Sequence, residues 1–223
     1  MSYLSTDEAA QQLGVTPRRV VQLLNQHALD GHRVQRDWLV SASSVRQRQA
    51  LTAARGRPMT SQTARSLIDA LDRDARLPAR RADLVRNRDA ELLSSAIAHS
   101  VVIDTYMTRD PESASERLHL TGESALDRIT SLPGEALIGT VREVHGYLQS
   151  TSLEELIDDA MLVRSDEGTV HIYRFRDDEF PWAEIPATLI AVDAARSMNS
   201  RVRAAGLEAL DRKRTRWLAR HTR

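Results

Sequence analysis

The stretch from Tyr3 to Gln49 reads YLSTDEAAQQLGVTPRRVVQLLNQHALDGHRVQRDWLVSASSVRQRQ. Ser5 and Glu8 stand at capping-box spacing, where the serine side chain takes the Glu8 amide and the carboxylate takes the Ser5 amide. Ala9, Ala10 and Leu13 follow as an apolar stripe, and Gly14 supplies the left-handed residue that ends a helix. Val15 is expected to pack under both helices as the apolar turn residue. Thr16 reads as the next N-cap, with Pro17 at the first helical position, where proline's missing N–H is not needed. Val20, Val21, Leu23 and Leu24 give this second helix a broad apolar face. Its other face carries Arg18, Arg19, Gln22, Asn25 and Gln26.

Two short helices joined this tightly can lay the second one in the major groove of DNA. Arginine pairs with guanine there, Gln and Asn pair with adenine, and Thr16 beside the helix-terminal amides suits a phosphate. Asp30-Gly31 is a turn signal, and His32 to Arg36 then reads as extended, with Asp37 near the next turn. Trp38, Leu39 and Val40 return as a second strand, with Trp38 packing the hairpin onto the helices. Arg33 and Arg36 fall where such a wing touches the DNA backbone or minor groove. Ser43 or Ser44 is expected to cap a third helix, with Val45 and Leu51 inward and Arg46 and Arg48 outward. This order of signals resembles the excisionase and MerR-like winged helix-turn-helix family over Tyr3 to Gln49. The resemblance implies that fold and a double-stranded DNA operator as partner.

Residues 55–58 read Arg-Gly-Arg-Pro. They match the core of an AT-hook, whose arginines lie in a narrow A·T minor groove. They also match a helix-ending Gly and Pro in a basic linker. Either way Arg55 and Arg57 are candidate backbone contacts. Thr60 then caps a helix whose Ala64, Leu67, Ile68 and Leu71 share one face. Arg73 to Arg88, RDARLPARRADLVRNR, continues as a charged bridge with six arginines. The expected division is a DNA-binding head over 1–54, a basic linker with connecting helices over 55–99, and an α+β domain over 100–223.

In the last part, Ser100 to Thr105 reads as a buried strand, Arg109 to Glu112 as a turn, and Thr121 as the cap of a helix. Val141 to Gln149 alternates like a strand, and Ser152 with Glu155 is a second capping box. Met161 to Arg164 and Thr169 to Phe175 flank Ser-Asp-Glu-Gly, the signal of a hairpin. Trp182 fits the core or an exposed interface. A helix from near Pro186 breaks at Ser197 to Ser200, before a last basic helix from about Arg201 to Arg220. That helix suits a dimer contact, a further DNA contact or a partner-binding tail. The fold class is thus mainly α with small β elements: a winged helix-turn-helix followed by an α+β domain.

The formal net charge of zero hides a split. Residues 1–90 hold 15 Arg against 9 acidic residues, and 91–223 hold 16 basic against 22 acidic. Residues 151–184 carry 10 acids against 3 Arg, while 196–223 carry 9 basic residues against 2 acidic. A basic front suits a polyanion; an acidic middle suits a basic protein partner or a solvated face. Cysteine is absent, which removes disulfides, thiolate metal sites and cysteine nucleophiles. There is no leader-like N-terminus and no run of spanning length, so a cytoplasmic protein without membrane association is expected.

No phosphate loop, His-x-x-x-His helix or Gly-x-Ser-x-Gly elbow occurs. The seven histidines are scattered, none at metal-ligand spacing, so no catalytic residue, metal or cofactor is expected. The segments LTGESALDRI, HGYLQ, SLEELIDDAMLVRSDEGTVHIYRF and FPWAEIPATLIAVDAARSMNSRVRAAGLEAL resemble the C-terminal part of AbiE-type antitoxins across 118–210. That resemblance implies an antitoxin that represses its own operon and neutralises a neighbouring nucleotidyltransferase-like toxin. The head itself implies binding to an inverted repeat as a homodimer. The alternative is an excisionase-like recombination directionality factor or phage regulator that binds and bends DNA.

Overall fold

The structure, a computed structural model, describes residues 3–25, 29–35, 37–50, 59–130, 143–149, 152–165 and 167–221. The first unit holds β1 (Tyr3–Leu4), α1 (Thr6–Leu13), α2 (Pro17–Asn25), β2 (Gly31–Val34), β3 (Asp37–Ser41) and α3 (Ala42–Ala50). Its strands form an antiparallel sheet in the order β1-β3-β2. Ala9, Ala10, Val20, Leu23, Leu24, Leu29, Val40 and Val45 make its core, with Trp38 packed against them as expected.

Helices α4 (Ser61–Arg73), α5 (Ala79–Arg86) and α6 (Ala90–Ala98) come next. Thr60 caps α4 by accepting from the Thr63 amide, and Asp89 caps α6 by accepting from Leu92. The second unit continues with β4 (Val101–Met107), α7 (Pro111–Glu116), β5 (Leu118–Leu120) and a 3₁₀ helix over Gly122–Arg128. It ends with β6 (Val144–Leu148), α8 (Leu153–Asp159), β7 (Val163–Arg164), β8 (Val170–Phe175), α9 (Ala187–Ala194) and α10 (Ser200–His221). Among the described residues, the chain is therefore mainly helical with two small sheets, an α+β arrangement.

The second sheet runs β5-β6-β8-β4-β7. All its pairings are antiparallel except β6 with β8, which is parallel. The expected hairpin of β7 with β8 does not form, because β4 lies between them. Gly168 allows this: a Cβ there would collide with the Tyr106 carbonyl of β4, so the connection crosses the strand backbone to backbone. Residues 109–112 are not only a turn. Asp110 accepts from the Ser113 amide and starts α7, with Pro111 at its first position. The helix expected after Thr121 is a 3₁₀ helix, broken by non-helical dihedrals at Ala125.

Side chains alternate between the two sheet faces. Val170 and Ile172 join Leu118, Val144 and Leu156 in one core, while Tyr173 and Phe175 face the other. That larger core is lined by α4, α5, α6, α9 and α10, so the helices within 61–98 are packed elements of the second unit. The α4 stripe of Ala64, Leu67, Ile68 and Leu71 is buried there. Polar contacts fasten the same seam. Asp72 accepts from the Thr188 amide and hydroxyl and pairs with Lys213 at 2.8 Å. Arg65 makes a two-pronged bond to Asp177 at 2.7 and 2.8 Å, reaches Glu179, and lies over the Phe175 ring. Trp182 is core: it is buried, and its indole N–H donates to Asp69 at 2.7 Å.

Helix α10 packs across α9 with no room between them, since a Cβ on Gly206 would sit 2.5 Å from the Ala195 nitrogen. Its basic residues are largely used inside the unit. Arg214 donates to the Val85 carbonyl, Arg212 to that of Ile129, and Arg220 pairs with Asp74. Trp217 is 1% exposed and donates its indole N–H to the Ala75 carbonyl at 2.8 Å.

Two stability predictions follow from these contacts. Trp217→Ala removes a large buried side chain and should cost about 3–5 kcal/mol. Trp217→Phe keeps most of the volume but removes the bond to the Ala75 carbonyl, costing about 0.5–1.5 kcal/mol. Urea denaturation of both variants gives the ordering. Asp193 is the second case. It is buried against Thr121, Tyr147 and Arg196, and burial pushes its carboxyl up to about 6. A raised folded value means stability that is full below about pH 4 and is lost as pH rises through about 6. At about 1.4 kcal/mol per unit the loss is about 3 kcal/mol. Asp193→Asn should flatten this part of the stability–pH curve; an unchanged slope would assign it to another group.

Candidate nucleic-acid interface

The head is built by local chemistry in the first 50 residues. The capping box forms: the Ser5 amide donates to Glu8 Oε2 at 2.7 Å, and the Glu8 amide donates to Ser5 Oγ at 3.2 Å. The Ser5 amide first, and then the Ser5 hydroxyl, which also donates to Glu8 Oε2 at 2.9 Å, hold the Glu8 carboxyl below its ordinary value. Gly14 takes φ 65°, and its amide closes the helix onto Ala10 and Gln11. Thr16 turns the chain into α2, its side chain accepting from the Arg19 amide at 3.3 Å. Val15 does not pack under the helices; it is 38% exposed. Ala9, Ala10, Val20 and Leu24 already fill the angle between α1 and α2, leaving Val15 at the outer edge of the turn.

With Val20, Leu23 and Leu24 buried, α2 turns its other side to solvent. Thr16, Arg18, Arg19, Gln22 and Asn25 are all exposed on it. Arg19 donates to the Gln22 side chain at 2.6 Å, which pre-orients both groups across one turn of the helix. Five of the residues assigned to DNA from sequence therefore share one open helix surface. Arg33 is exposed on the hairpin, opposite Trp38 in the β2–β3 register. Gln35 takes φ 55° at the hairpin tip, and Tyr3 packs edge-on against His32 at its base. Gln26, Arg36, Arg55 and Arg57 lie outside the described residues.

The third helix departs from expectation in two ways. It begins at Ala42, two or three residues earlier than a cap at Ser43 or Ser44 would place it, and the Ser44 amide donates to Ser41 Oγ. Ser44 is inside the helix and buried, where its hydroxyl accepts from the Asp30 amide at 3.1 Å. It thus clamps the start of the hairpin. Arg46 is exposed as expected, but Arg48 is half-buried. Burial lowers the pKa of Arg48, and Arg19 and Arg176 lower it further. Arg176, just after β8, is itself lowered first by burial and then by Arg196, with Asp30 acting the other way. Burial is also the main cause lowering His99, where Arg48, Arg196 and Arg176 add to it. A run of like charge thus extends from α2 through α3 to the end of β8. Nothing local in the sequence marks Arg176, which reaches this place only through the fold.

An exposed, polar second helix after a glycine turn, flanked by a basic hairpin, defines a helix-turn-helix DNA-binding head. A family model described as a helix-turn-helix domain matches residues 3–50. Neither the curated proteins nor the solved structures contain a match to the chain. Among the described residues no helix is long and apolar enough to cross a membrane.

Arg19 is exposed on the open face of α2 and is expected to meet a base edge there. Arg19→Ala should cut the affinity for a specific duplex by about 1–3 kcal/mol and relax the preference at one base position. Fluorescence anisotropy with single-base variants of the site reads both. Equal loss on every sequence would make Arg19 a phosphate contact instead.

Proposed function

We propose that this protein is a sequence-specific transcriptional repressor that binds an inverted repeat as a dimer and doubles as the antitoxin of a toxin–antitoxin operon. The single observation that carries the DNA part is the open face of α2, with Thr16, Arg18, Arg19, Gln22 and Asn25 presented together. Two such heads, one on each protomer, would read half-sites about 34 Å apart. Thr16 and the first amides of α2 hold phosphate, Arg18, Arg19, Gln22 and Asn25 read bases, and Arg33 holds the backbone beside the wing. None of these roles calls for bond-making chemistry, and we propose no enzymatic activity.

The antitoxin part rests on the resemblance of residues 118–210 to AbiE-type antitoxins. The second unit has its own large core, as a module with a separate task requires. Its acidic stretch is partly committed inside the fold: Asp159 pairs with Arg117, Asp178 with Arg174, and Asp177 and Glu179 with Arg65. Glu154 and Glu184 remain exposed and are the better candidates for meeting a basic toxin surface.

Two measurements separate the parts. Binding to the DNA upstream of its own reading frame should weaken linearly with salt on a log–log scale. Arg33→Ala should weaken binding evenly across sequences and reduce that slope by about one. A slope near zero would remove the DNA assignment, and strong bending of direct repeats would favour a recombination factor. Co-expression with the neighbouring reading frame should relieve any growth arrest that frame causes. Failure of that rescue would remove the antitoxin role and leave the repressor standing.

A further inference from the structure

Strands β6 and β8 run parallel with His145 opposite His171. Both side chains therefore leave the same face of the sheet, and their rings stack at 4.4 Å. The two Nε2 atoms converge on one carboxylate oxygen, Oε2 of Glu143, at 3.3 Å from His145 and 3.4 Å from His171. One ligand atom from each of the three lies within 4.8 Å of the others. A second carboxylate, Glu123 on the 3₁₀ helix, reaches to 3.9 Å of His145 Nε2. His145 is only 9% exposed, and both Nε2 atoms are enclosed, with the carboxylates as their polar neighbours but no well-aligned hydrogen bond to them.

The other ring nitrogens are occupied. His145 Nδ1 lies 3.2 Å from the Tyr173 hydroxyl, and His171 Nδ1 lies 3.3 Å from the Thr105 hydroxyl. Metal-binding imidazoles are oriented this way, one nitrogen donating to an oxygen so that the other keeps its lone pair for the ion. The carboxylates are braced as well. Ser124 Oγ donates to the Glu143 carbonyl and accepts from the His145 amide, which fixes the strand end to the 3₁₀ helix. Ser197 Oγ donates to Glu123 at 3.2 Å.

We propose that Glu143, His145 and His171 form a binding site for a divalent first-row transition ion, with Glu123 as the fourth ligand. The spacing suits such an ion. Tetrahedral bonds of about 2.0–2.1 Å place neighbouring ligand atoms about 3.3–3.4 Å apart. Both imidazole–carboxylate edges have that length; Glu123, near His145 but outside the group of three, has to swing toward the other two ligands to complete the set. Two imidazoles exclude the all-oxygen preference of Ca²⁺ and Mg²⁺, and the absence of thiolate ligands leaves Zn²⁺ and its first-row neighbours. An ion here joins β6 to β8 and, through Glu123, to the 3₁₀ helix. The site belongs to the second unit, so its occupancy is read without any DNA.

The test uses the full chain, stripped with chelator and titrated with Zn²⁺ by calorimetry, with Mg²⁺ as the control ion. One Zn²⁺ per chain should bind saturably and Mg²⁺ should not. At about a hundredfold over Kd, Zn²⁺ should raise Tm by about 5–10 °C. His171→Ala and Glu143→Gln, each checked for folding by circular dichroism, should weaken Zn²⁺ binding about tenfold or more. His32→Ala in the head should leave it unchanged. If either variant unfolds, the absorption bands of bound Co²⁺ in the unmutated chain report whether nitrogen and oxygen ligands form a four-coordinate site. Absence of saturable Zn²⁺ binding, an unshifted Tm, six-coordinate Co²⁺ bands, or equal affinity in both folded variants would overturn the assignment.

Discussion

The parallel pairing of β6 with β8 is the constraint on which the second unit depends. A parallel pair cannot be closed by a tight turn and needs a crossover connection. Here the connection runs through α8 and then β7 on the far side of β4. That places β8 at the centre, bonded to β6 on one edge and β4 on the other, with apolar residues on both faces. A one-residue slip would send Tyr173 and Phe175 to the wrong core and part His145 from His171. The aromatic contacts on that face, Tyr147 with Tyr173 and Phe175, and Phe175 with Trp182, hold the register from above.

The head was legible because its signals are local. The Ser5–Glu8 box, Gly14 and the Thr16-Pro17 start act within a few residues of themselves, and each forms in the structure. The same holds for the Ser152–Glu155 box of α8. What escaped was whatever depends on distant partners. Val15 looked apolar enough to bury, yet the space it would fill is taken by α1 and α2 side chains. Ser44 looked like a cap and proved to be a buried clamp on Asp30. The sequence around residues 163–170 has every mark of a hairpin, but strand order is decided by β4, some sixty residues earlier. His145 and His171 showed no ligand spacing, since spacing along the chain says nothing about neighbours across a parallel pair.

Charge was similarly deceptive. Counted along the chain, the arginines of 61–98 and of α10 suggest surfaces for a polyanion. In the fold many of them serve as fasteners. Arg65 grips the loop after β8, Arg81 donates to Ser66, and Arg214 and Arg86 bind carbonyls near the chain ends they join. Asp104 is buried between Arg164 and Arg174, so one acid of the sheet neutralises two cations of the acidic stretch. Exposed pairs of this kind contribute little each, but a buried carboxylate deprived of its arginines would be costly. Among the described residues, fewer of these arginines are free for a polyanion than composition implies, while Arg18, Arg19, Arg33 and Arg46 stand exposed on α2, the hairpin and α3.

The packing of α10 against α4 and α6 also sets an order of events during synthesis. The head's core is complete by Val45 and can close while the rest of the chain is still being made. The second unit cannot, because Ala75 receives its bond from Trp217, 142 residues further on. At about 5–20 residues per second that interval lasts roughly 7–30 s. For this time the core around the apolar stripe of α4 lacks the side that α10 supplies. A nascent chain would therefore carry a finished DNA-binding head on an unfinished body, and any partner of the body must wait for the last helix.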